Sequence, residues 1–176
     1  MNLQEYEKVR DFTYLEYCDY LQQKYGIGRG NYMTKSWNKN PKVSRTKEGL
    51  VAHHKFEDHA IMLADKDFAM KNPFEWQLAE NIVYCDYLEH LFLHILICEN
   101  PAVEKNAFEA VGIGGIVTFL VPELNDVFSG WKTNQTWRET CHNAIKDDKE
   151  VYMALLKRFL IISLLWHQVI LKYLEI

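Results

Sequence analysis

The feature that most constrains this chain is the spacing of its histidines, five of which lie between residues 49 and 97 of the 176-residue sequence. His90 and His94 are four residues apart in YLEHLFLHILI, a segment whose apolar residues recur at helical intervals. Both imidazoles therefore project from one helix face, about one turn apart, as a shared metal ion requires. The same spacing also occurs in ordinary core histidines, so the pair by itself predicts the helix and leaves the metal site open.

A second histidine pair precedes this helix. His53 and His54 end the segment EGLVAHH, which is typical of a short strand. Neighbouring side chains on a strand point to opposite faces, so one imidazole can bind a metal ion while the other faces a substrate. Asn81 lies nine residues before His90, at the start of an extended NIVY segment. An amide there can accept a hydrogen bond from one ring nitrogen of a histidine and leave the other nitrogen free as a base.

In this order, the His-His pair, the Asn and the EHLFLH segment resemble the HNH endonucleases, also called ββα-metal or His-Me finger endonucleases. The likeness is closest to the subgroup with a His-His pair, a central Asn and a terminal HxxxH, as in the nuclease colicins. It implies that three histidines hold a metal ion: His53, His90 and His94. It further implies that His54 is the general base and that Asn81 braces the β-hairpin and orients His54.

The resemblance implies a metal-dependent endonuclease that hydrolyses phosphodiester bonds, with DNA as the favoured substrate. The metal ion would neutralise charge on the scissile phosphate while neutral His54 takes a proton from the attacking water. Three imidazoles without a carboxylate suit Zn²⁺, Ni²⁺ or Mn²⁺ better than Mg²⁺, which prefers oxygen ligands. Glu57, Asp58 and His59 could also reach the metal ion or its waters, although a solvated turn is the favoured interpretation there.

A run of basic residues leads into the His-His strand. Residues 26–47 are rich in Gly, Asn and Ser and contain no Asp or Glu. Their composition is compatible with a solvated loop and with an arm that grips phosphates. Their position before His53, with Tyr32 and Trp37 interleaved among the cations, favours the arm. The candidate nucleic-acid-binding residues are Arg29, Lys35, Lys39, Lys42, Arg45 and Lys47.

The expected fold class is α+β and mainly helical, with a small ββα-metal motif embedded in a helical domain. The predicted parts of this single domain, residues 1–176, are an N-terminal helix at 3–25, the basic arm at 26–47, the ββα core at 48–98 and C-terminal helices within 102–176. Helices in that last part are expected at 103–111, 134–146 and 148–174. They either cover the back of the motif or form a homodimer face.

Charge and composition set limits on partners and location. The net charge is −4, so nucleic-acid affinity must come from a local patch and not from the whole chain. Four scattered cysteines without a CxxC pair, and a polar N-terminus without a targeting segment, predict a cytoplasmic protein. The most apolar run, residues 159–166, is too short to span a membrane.

Two other classes of protein remain compatible with the sequence. One is a non-catalytic, metal-stabilised binding protein on the same scaffold, and the other is an all-helical interaction protein of a phage or mobile element whose histidines are core residues. Bound metal without cleavage would favour the first, and absence of bound metal would favour the second. His142 and His167 lie singly on predicted helices, where histidines usually have no catalytic role.

Overall fold

The computed structural model describes the backbone of residues 1–106 and 109–173, and side chains within those ranges as far as residue 164. The fold is α+β and mainly helical, as predicted, and its sheet in this part of the chain has two antiparallel strands. The strands are β1 (Val51–His54) and β2 (Ile82–Cys85). The helices are α1 (Leu3–Val9), α2 (Tyr14–Tyr25), α3 (Lys66–Ala69), α4 (Tyr87–Glu99), α5 (Val121–Ser129), α6 (Thr136–Asn143) and α7 (Lys149–Tyr173).

The N-terminal helix predicted for residues 3–25 is divided in two. α1 ends at Val9, and Thr13 starts α2 with a capping box. The Thr13 hydroxyl accepts from the Glu16 N–H (3.3 Å), and the Glu16 carboxylate accepts from the Thr13 N–H (2.8 Å). These reciprocal bonds define a helix start within a region whose apolar spacing continues without a break. α2 ends at Gly26, as predicted, where the φ angle of 84° suits glycine.

The strands pair over their full length, with His53 opposite Val83 and His54 opposite Ile82. All four residues of β2 are buried because α2 packs against this strand. A single residue, Asp86, separates β2 from α4. The two strands and α4 thus form a strand, strand, helix arrangement, with α3 between the strands in sequence.

Helix α4 lies at the centre of the hydrophobic core. It begins with a second capping box, in which Asp86 accepts from the Glu89 N–H (2.8 Å) and Glu89 accepts from the Asp86 N–H (2.7 Å). Residues 91–98 are all buried, because α2, α7 and the segment at 115–120 pack around the helix. A helix that is apolar on every side is typical of such an enclosed position. No helix among the described residues combines the length and apolarity needed to cross a bilayer.

Residues 26–47 fold against the strands and do not project as a free arm. Their ends form isolated bridges to the sheet, at Ile27 with Val83 and at Arg45 with Val51. Between these bridges the segment turns back on itself and buries three side chains in a second, small apolar cluster: Tyr32, Met33 and Val43. The cations of this segment are consequently held around an apolar centre.

The C-terminal region departs from the prediction before α5. Residues 103–111 were predicted as a helix, but 103–106 and 109–111 form turns and irregular structure, and 107–108 lie outside the described residues. A π-helix at Gly115–Leu120 then continues into α5. α6 and α7 lie within the predicted helical ranges, and the side chain of His167 lies outside the described residues.

Helix α7 covers the back of α4. Arg158 forms two hydrogen bonds with the carboxylate of Glu99 (2.6 and 2.7 Å) and one with the backbone oxygen of Arg10 (2.6 Å). One arginine therefore joins α7 to the end of α4 and to the segment that follows α1. This agrees with the expectation that C-terminal helices cover the small motif.

All four cysteines are free and buried. Burial raises the pKa of Cys98 to about 12 and has the same effect on Cys18. The Cys98 sulfur lies beside Gly112, where an added Cβ would be 2.9 Å from it. The thiols are therefore protonated, packed groups of the interior.

Candidate metal centre

Four side chains from β1, the turn after it and α4 converge below the surface. They are His53, Glu57, His90 and His94, and their potential ligand atoms lie within 4.8 Å of one another. The structure thus brings together the three histidines that were expected to bind metal and adds a carboxylate. This group could hold a metal ion.

The glycine turn before α5 fixes His94. The backbone oxygen of Gly112 lies 3.0 Å from Nδ1 of His94. Because a carbonyl only accepts, Nδ1 carries the proton and Nε2 presents a lone pair. Nε2 of His94 lies 3.2 Å from Nε2 of His90 and 3.3 Å from Oε2 of Glu57. Gly115 packs against the ring, since an added Cβ would be 2.6 Å from Nδ1.

Helix α2 fixes His53 through Tyr14. The Tyr14 hydroxyl lies 2.8 Å from Nε2 of His53 and 3.2 Å from the backbone oxygens of His54 and Lys55. If the hydroxyl donates to a carbonyl, it accepts from the imidazole, and Nδ1 of His53 presents its lone pair to Oε2 of Glu57 at 3.4 Å. Burial lowers the pKa of His53 to about 3 against the opposing charge of Glu57, so the ring is in its neutral, metal-binding form.

His54, the residue expected to face a substrate, is fully buried. Its ring packs against Tyr32, with ring centroids 4.4 Å apart. The Gln77 amide nitrogen donates to the backbone oxygen of Leu63 (3.1 Å), so its Oε1 accepts from Nε2 of His54 (3.1 Å). Nδ1 of His54 therefore presents a lone pair, 3.4 Å from Oε1 of Glu57.

Asn81 does not have the orienting role that the sequence suggested. Its side-chain amide donates to the backbone oxygen of Glu75 (2.8 Å), and its own backbone oxygen accepts from the Lys55 N–H (2.9 Å). Asn81 thus braces the end of the strand pair through its backbone. Residues 74–81 form two short 3₁₀ turns, and Gln77 is the fully buried side chain among them. The amide that meets His54 therefore comes four residues earlier than expected.

Glu57 was expected in a solvated turn, but its carboxylate lies among the histidines and its side chain is 16% exposed. One oxygen faces His53 and His94, and the other faces His54. Burial would raise the pKa of Glu57, whereas positive charge among the adjacent imidazoles would hold it well below its usual value. Because the rings are neutral and present lone pairs to Glu57, that positive charge would have to come from a bound cation.

Unpartnered ring nitrogens also indicate a bound cation. Among the described residues, three buried side-chain nitrogens have no hydrogen-bond partner: Nδ1 of His53, of His54 and of His90. Buried polar atoms are nearly always satisfied in folded proteins, by protein groups, water or an ion. Nitrogen donors beside a buried carboxylate fit a divalent metal ion in the chemistry of their ligands.

A cleft of about 850 Å³ opens onto the cluster, and Glu57, His90 and His94 are part of its lining. Most other lining residues are apolar, and three acidic residues, Asp65, Glu109 and Glu123, also contribute. None of the six basic candidates from residues 26–47 lies among the described residues that line the cleft. The route to the cluster from this side is therefore lined by apolar and acidic residues.

The six basic candidates are not equivalent. Arg29 is ion-paired with Glu48 at 3.3 Å. Lys39 and Arg45 lie near each other, and burial together with the charge of Arg45 lowers the pKa of Lys39. All six are exposed, including the other three: Lys35, Lys42 and Lys47. Lys39 and Arg45 are thus neighbouring cations, and Arg29 is partly neutralised by Glu48.

Sequence reasoning missed the residues that hold the histidines in place: Tyr14, Gln77, Gly112 and Gly115. Tyr14 and Gln77 are remote from the His-His pair in sequence, and no fixed spacing relates them to it. Gly112 and Gly115 belong to a GIGG segment that follows the helix predicted at 103–111. Its clustered glycines were the available signal of a close approach between backbone and side chain.

Comparison of the chain with models of known families, with curated proteins and with solved structures finds no match. The likeness to HNH endonucleases consequently remains an expectation from sequence. Function has to be inferred from the geometry of the metal cluster and its surroundings.

Proposed function

We propose that this chain is a metal-dependent endonuclease of the HNH type that hydrolyses phosphodiester bonds of DNA. The observation that carries the proposal is the convergence of four imidazoles on the Glu57 carboxylate within a strand, strand, helix arrangement. Three of them, with Glu57, are the proposed metal ligands: His53, His90 and His94. The fourth, His54, is the proposed general base.

The ligand set favours Zn²⁺, Ni²⁺ or Mn²⁺. Three nitrogen donors and one carboxylate oxygen suit these ions, whereas Mg²⁺ prefers oxygen ligands. A bound divalent ion supplies Lewis-acid stabilisation of the charge that develops on a phosphodiester during hydrolysis. Tyr14 and Gly112 keep two of the ligating rings in fixed orientations, which lowers the cost of binding the ion.

His54 is suited to proton transfer through its Nδ1. Gln77 holds the proton on Nε2, so Nδ1 is free to accept a proton from water. The carboxylate of Glu57, 3.4 Å away, would stabilise the imidazolium that forms. Because His54 is buried, the attacking water has to approach through the cleft, past Glu57.

The decisive experiment is cleavage of supercoiled plasmid by metal-stripped protein to which Mg²⁺, Mn²⁺, Ni²⁺ or Zn²⁺ is returned. His54→Ala should keep metal binding and lose cleavage by about a hundredfold or more, the usual contribution of a general base. His90→Ala should lose both metal binding and cleavage. His142→Ala is the matched control, because His142 bonds to Glu123 (2.5 Å) away from the cluster, and it should keep both properties.

A structural metal site is the second candidate. Four protein ligands are enough to complete tetrahedral zinc, and the burial of His54 limits its access to substrate. Bound metal without cleavage under any of the four cations would contradict the endonuclease and support this alternative. Equal cleavage by wild type and His54→Ala would also contradict the assigned base.

A further inference from the structure

Two cations from residues 26–47 lie on aromatic rings, and one of these rings, that of Trp137, belongs to α6. The guanidinium of Arg45 is 3.7 Å from the ring centroid of Trp137, and the ammonium of Lys39 is 5.1 Å from the ring centroid of Tyr32. Trp137 is 39% exposed although it is a large aromatic residue. These four residues are referred to below as the cation–aromatic surface.

The charge of this surface is not balanced. Lys39 and Arg45 are both exposed, and no carboxylate in the described part of the chain lies within 4.0 Å of either one. The two like charges are close enough to affect each other, as the lowered pKa of Lys39 indicates. Paired cations without an acid create a local positive potential in a protein of net charge −4, and an anion placed there would be stabilised.

Trp131 also has an arginine over its ring, but carboxylates neutralise that arginine. Trp131 is 48% exposed and has Arg138 at 4.7 Å from its ring centroid. However, Arg138 also bonds to both oxygens of Glu123 (2.6 and 2.7 Å) and to Asp126 (3.0 Å). Its charge is therefore neutralised within the protein. Of these two arginine–tryptophan pairs, the one at Trp137 is available to an anion.

The cation–aromatic surface adjoins the metal cluster. The ring of Tyr32 packs against His54, and Arg45 forms a backbone bridge to Val51 at the start of β1. Val51 is also part of the lining of the cleft. The ring of Tyr32 therefore separates this surface from the proposed base, and Arg45 is paired with a residue of the cleft wall.

We propose that the cation–aromatic surface binds an unstacked nucleotide of a single DNA strand, with a phosphate at Lys39 and Arg45 and a base on the face of Trp137. This rests on the proposed endonuclease function and specifies its substrate. Bases stack on aromatic side chains only where they are not already stacked within a duplex. A phosphate contact alone would not distinguish a single strand from a duplex. Stacking on the exposed indole of Trp137 does, because it requires an unstacked base.

The test measures binding of a fluorescent oligothymidine, and of its duplex with oligoadenine, to metal-free protein so that cleavage does not interfere. Fluorescence anisotropy should show tighter binding of the single strand. Trp137→Ala should weaken single-strand binding about tenfold, in the range of one lost stacking contact, and Trp137→Phe should restore most of it. Trp131→Ala, the matched control, should bind like wild type. Lys39→Gln should weaken binding and reduce its salt dependence by about one phosphate contact.

Equal affinities for single strand and duplex, equal effects of Trp137→Ala and Trp131→Ala, or no binding by wild type would each overturn the inference. Thermal melts followed by circular dichroism verify that each variant is folded. Plasmid cleavage that needs His54, with binding insensitive to Trp137→Ala, would reject this surface and keep the endonuclease. Single-strand binding that needs Trp137, without cleavage under any metal, would reject the endonuclease and keep the surface.

Discussion

Among single residues, Glu57 determines what the histidine cluster can bind. Its carboxylate supplies the negative charge and the oxygen ligand, and it contacts rings from both β1 and α4. Glu57→Gln keeps the shape and removes the charge, so affinity for Zn²⁺ or Ni²⁺ should fall at least about tenfold. Isothermal titration calorimetry measures this change.

The neighbouring carboxylate offers a matched control for that experiment. Asp58 bonds to His59 (2.7 Å) and not to the cluster, so Asp58→Asn should keep the metal affinity of wild type. Equal affinities of Glu57→Gln and wild type would show that Glu57 is not a ligand.

Gly115 packs closely against the His94 ring. An alanine Cβ would overlap the His94 ring, so Gly115→Ala should displace the ring, weaken metal binding and destabilise the fold by about 1–3 kcal/mol. Gly114 has nothing within 4 Å of an added Cβ and lies in the right-handed helical region. Gly114→Ala should therefore be neutral or stabilise by up to about 1 kcal/mol. Chemical denaturation and metal titration of both variants test this, and similar results for the two would contradict it.

The histidine cluster could be predicted only in part, because its members depend on different kinds of information. His90 and His94 lie one helical turn apart, and this local geometry follows directly from sequence. Glu57 and Gln77 meet the histidines through the path of residues 55–81, which includes irregular turns without a fixed period. Tyr14 belongs to a separate helix, α2. Contacts of this kind depend on tertiary packing, which periodicity does not contain.

Among the elements, α2 shows how a local cap overrides an apolar pattern. Residues 3–25 keep helical spacing throughout, yet the Thr13–Glu16 capping box begins a new helix. Thr13→Ala removes the hydroxyl acceptor for the Glu16 N–H. The free energy of unfolding measured in urea should therefore fall by about 1 kcal/mol. Thr13→Ser keeps the hydroxyl and should be close to wild type. A Thr13→Ala variant as stable as Thr13→Ser would show that the cap is not needed.

The predictions of other elements differed in accuracy for related reasons. α4, α6 and α7 follow from sustained apolar periodicity, and β1 with β2 from short extended runs between turns. Residues 26–47 were recognised by their charge, but their folding onto the sheet depends on the buried Tyr32, Met33 and Val43. The π-helix at Gly115–Leu120 adapts to the face of α4, and its sequence has no distinctive period.

For the molecule as a whole, metal binding should be coupled to stability. The proposed ligands come from β1, the following turn and α4, which are separate in sequence and adjacent only when the chain is folded. A metal ion at a hundred times its dissociation constant would add about 2.7 kcal/mol to the free energy of unfolding. For a domain of this size, that corresponds to a rise in Tm of about 5–11 °C.

Differential scanning calorimetry with and without Zn²⁺ measures this shift, and excess EDTA should reverse it. His90→Ala should melt at the same temperature in both conditions, because one of the ligands is missing. A wild-type Tm that does not respond to any of the four cations would contradict a metal site in the folded protein.

The packing of Cys98 against Gly112 has a kinetic consequence. The protonated, buried thiol becomes accessible to a maleimide when Gly112 moves away from it. Because Gly112 and Gly115 also hold His94, that same movement releases the proposed ligand. The rate of alkylation at Cys98 therefore measures how often Gly112 moves away from α4 in the native protein.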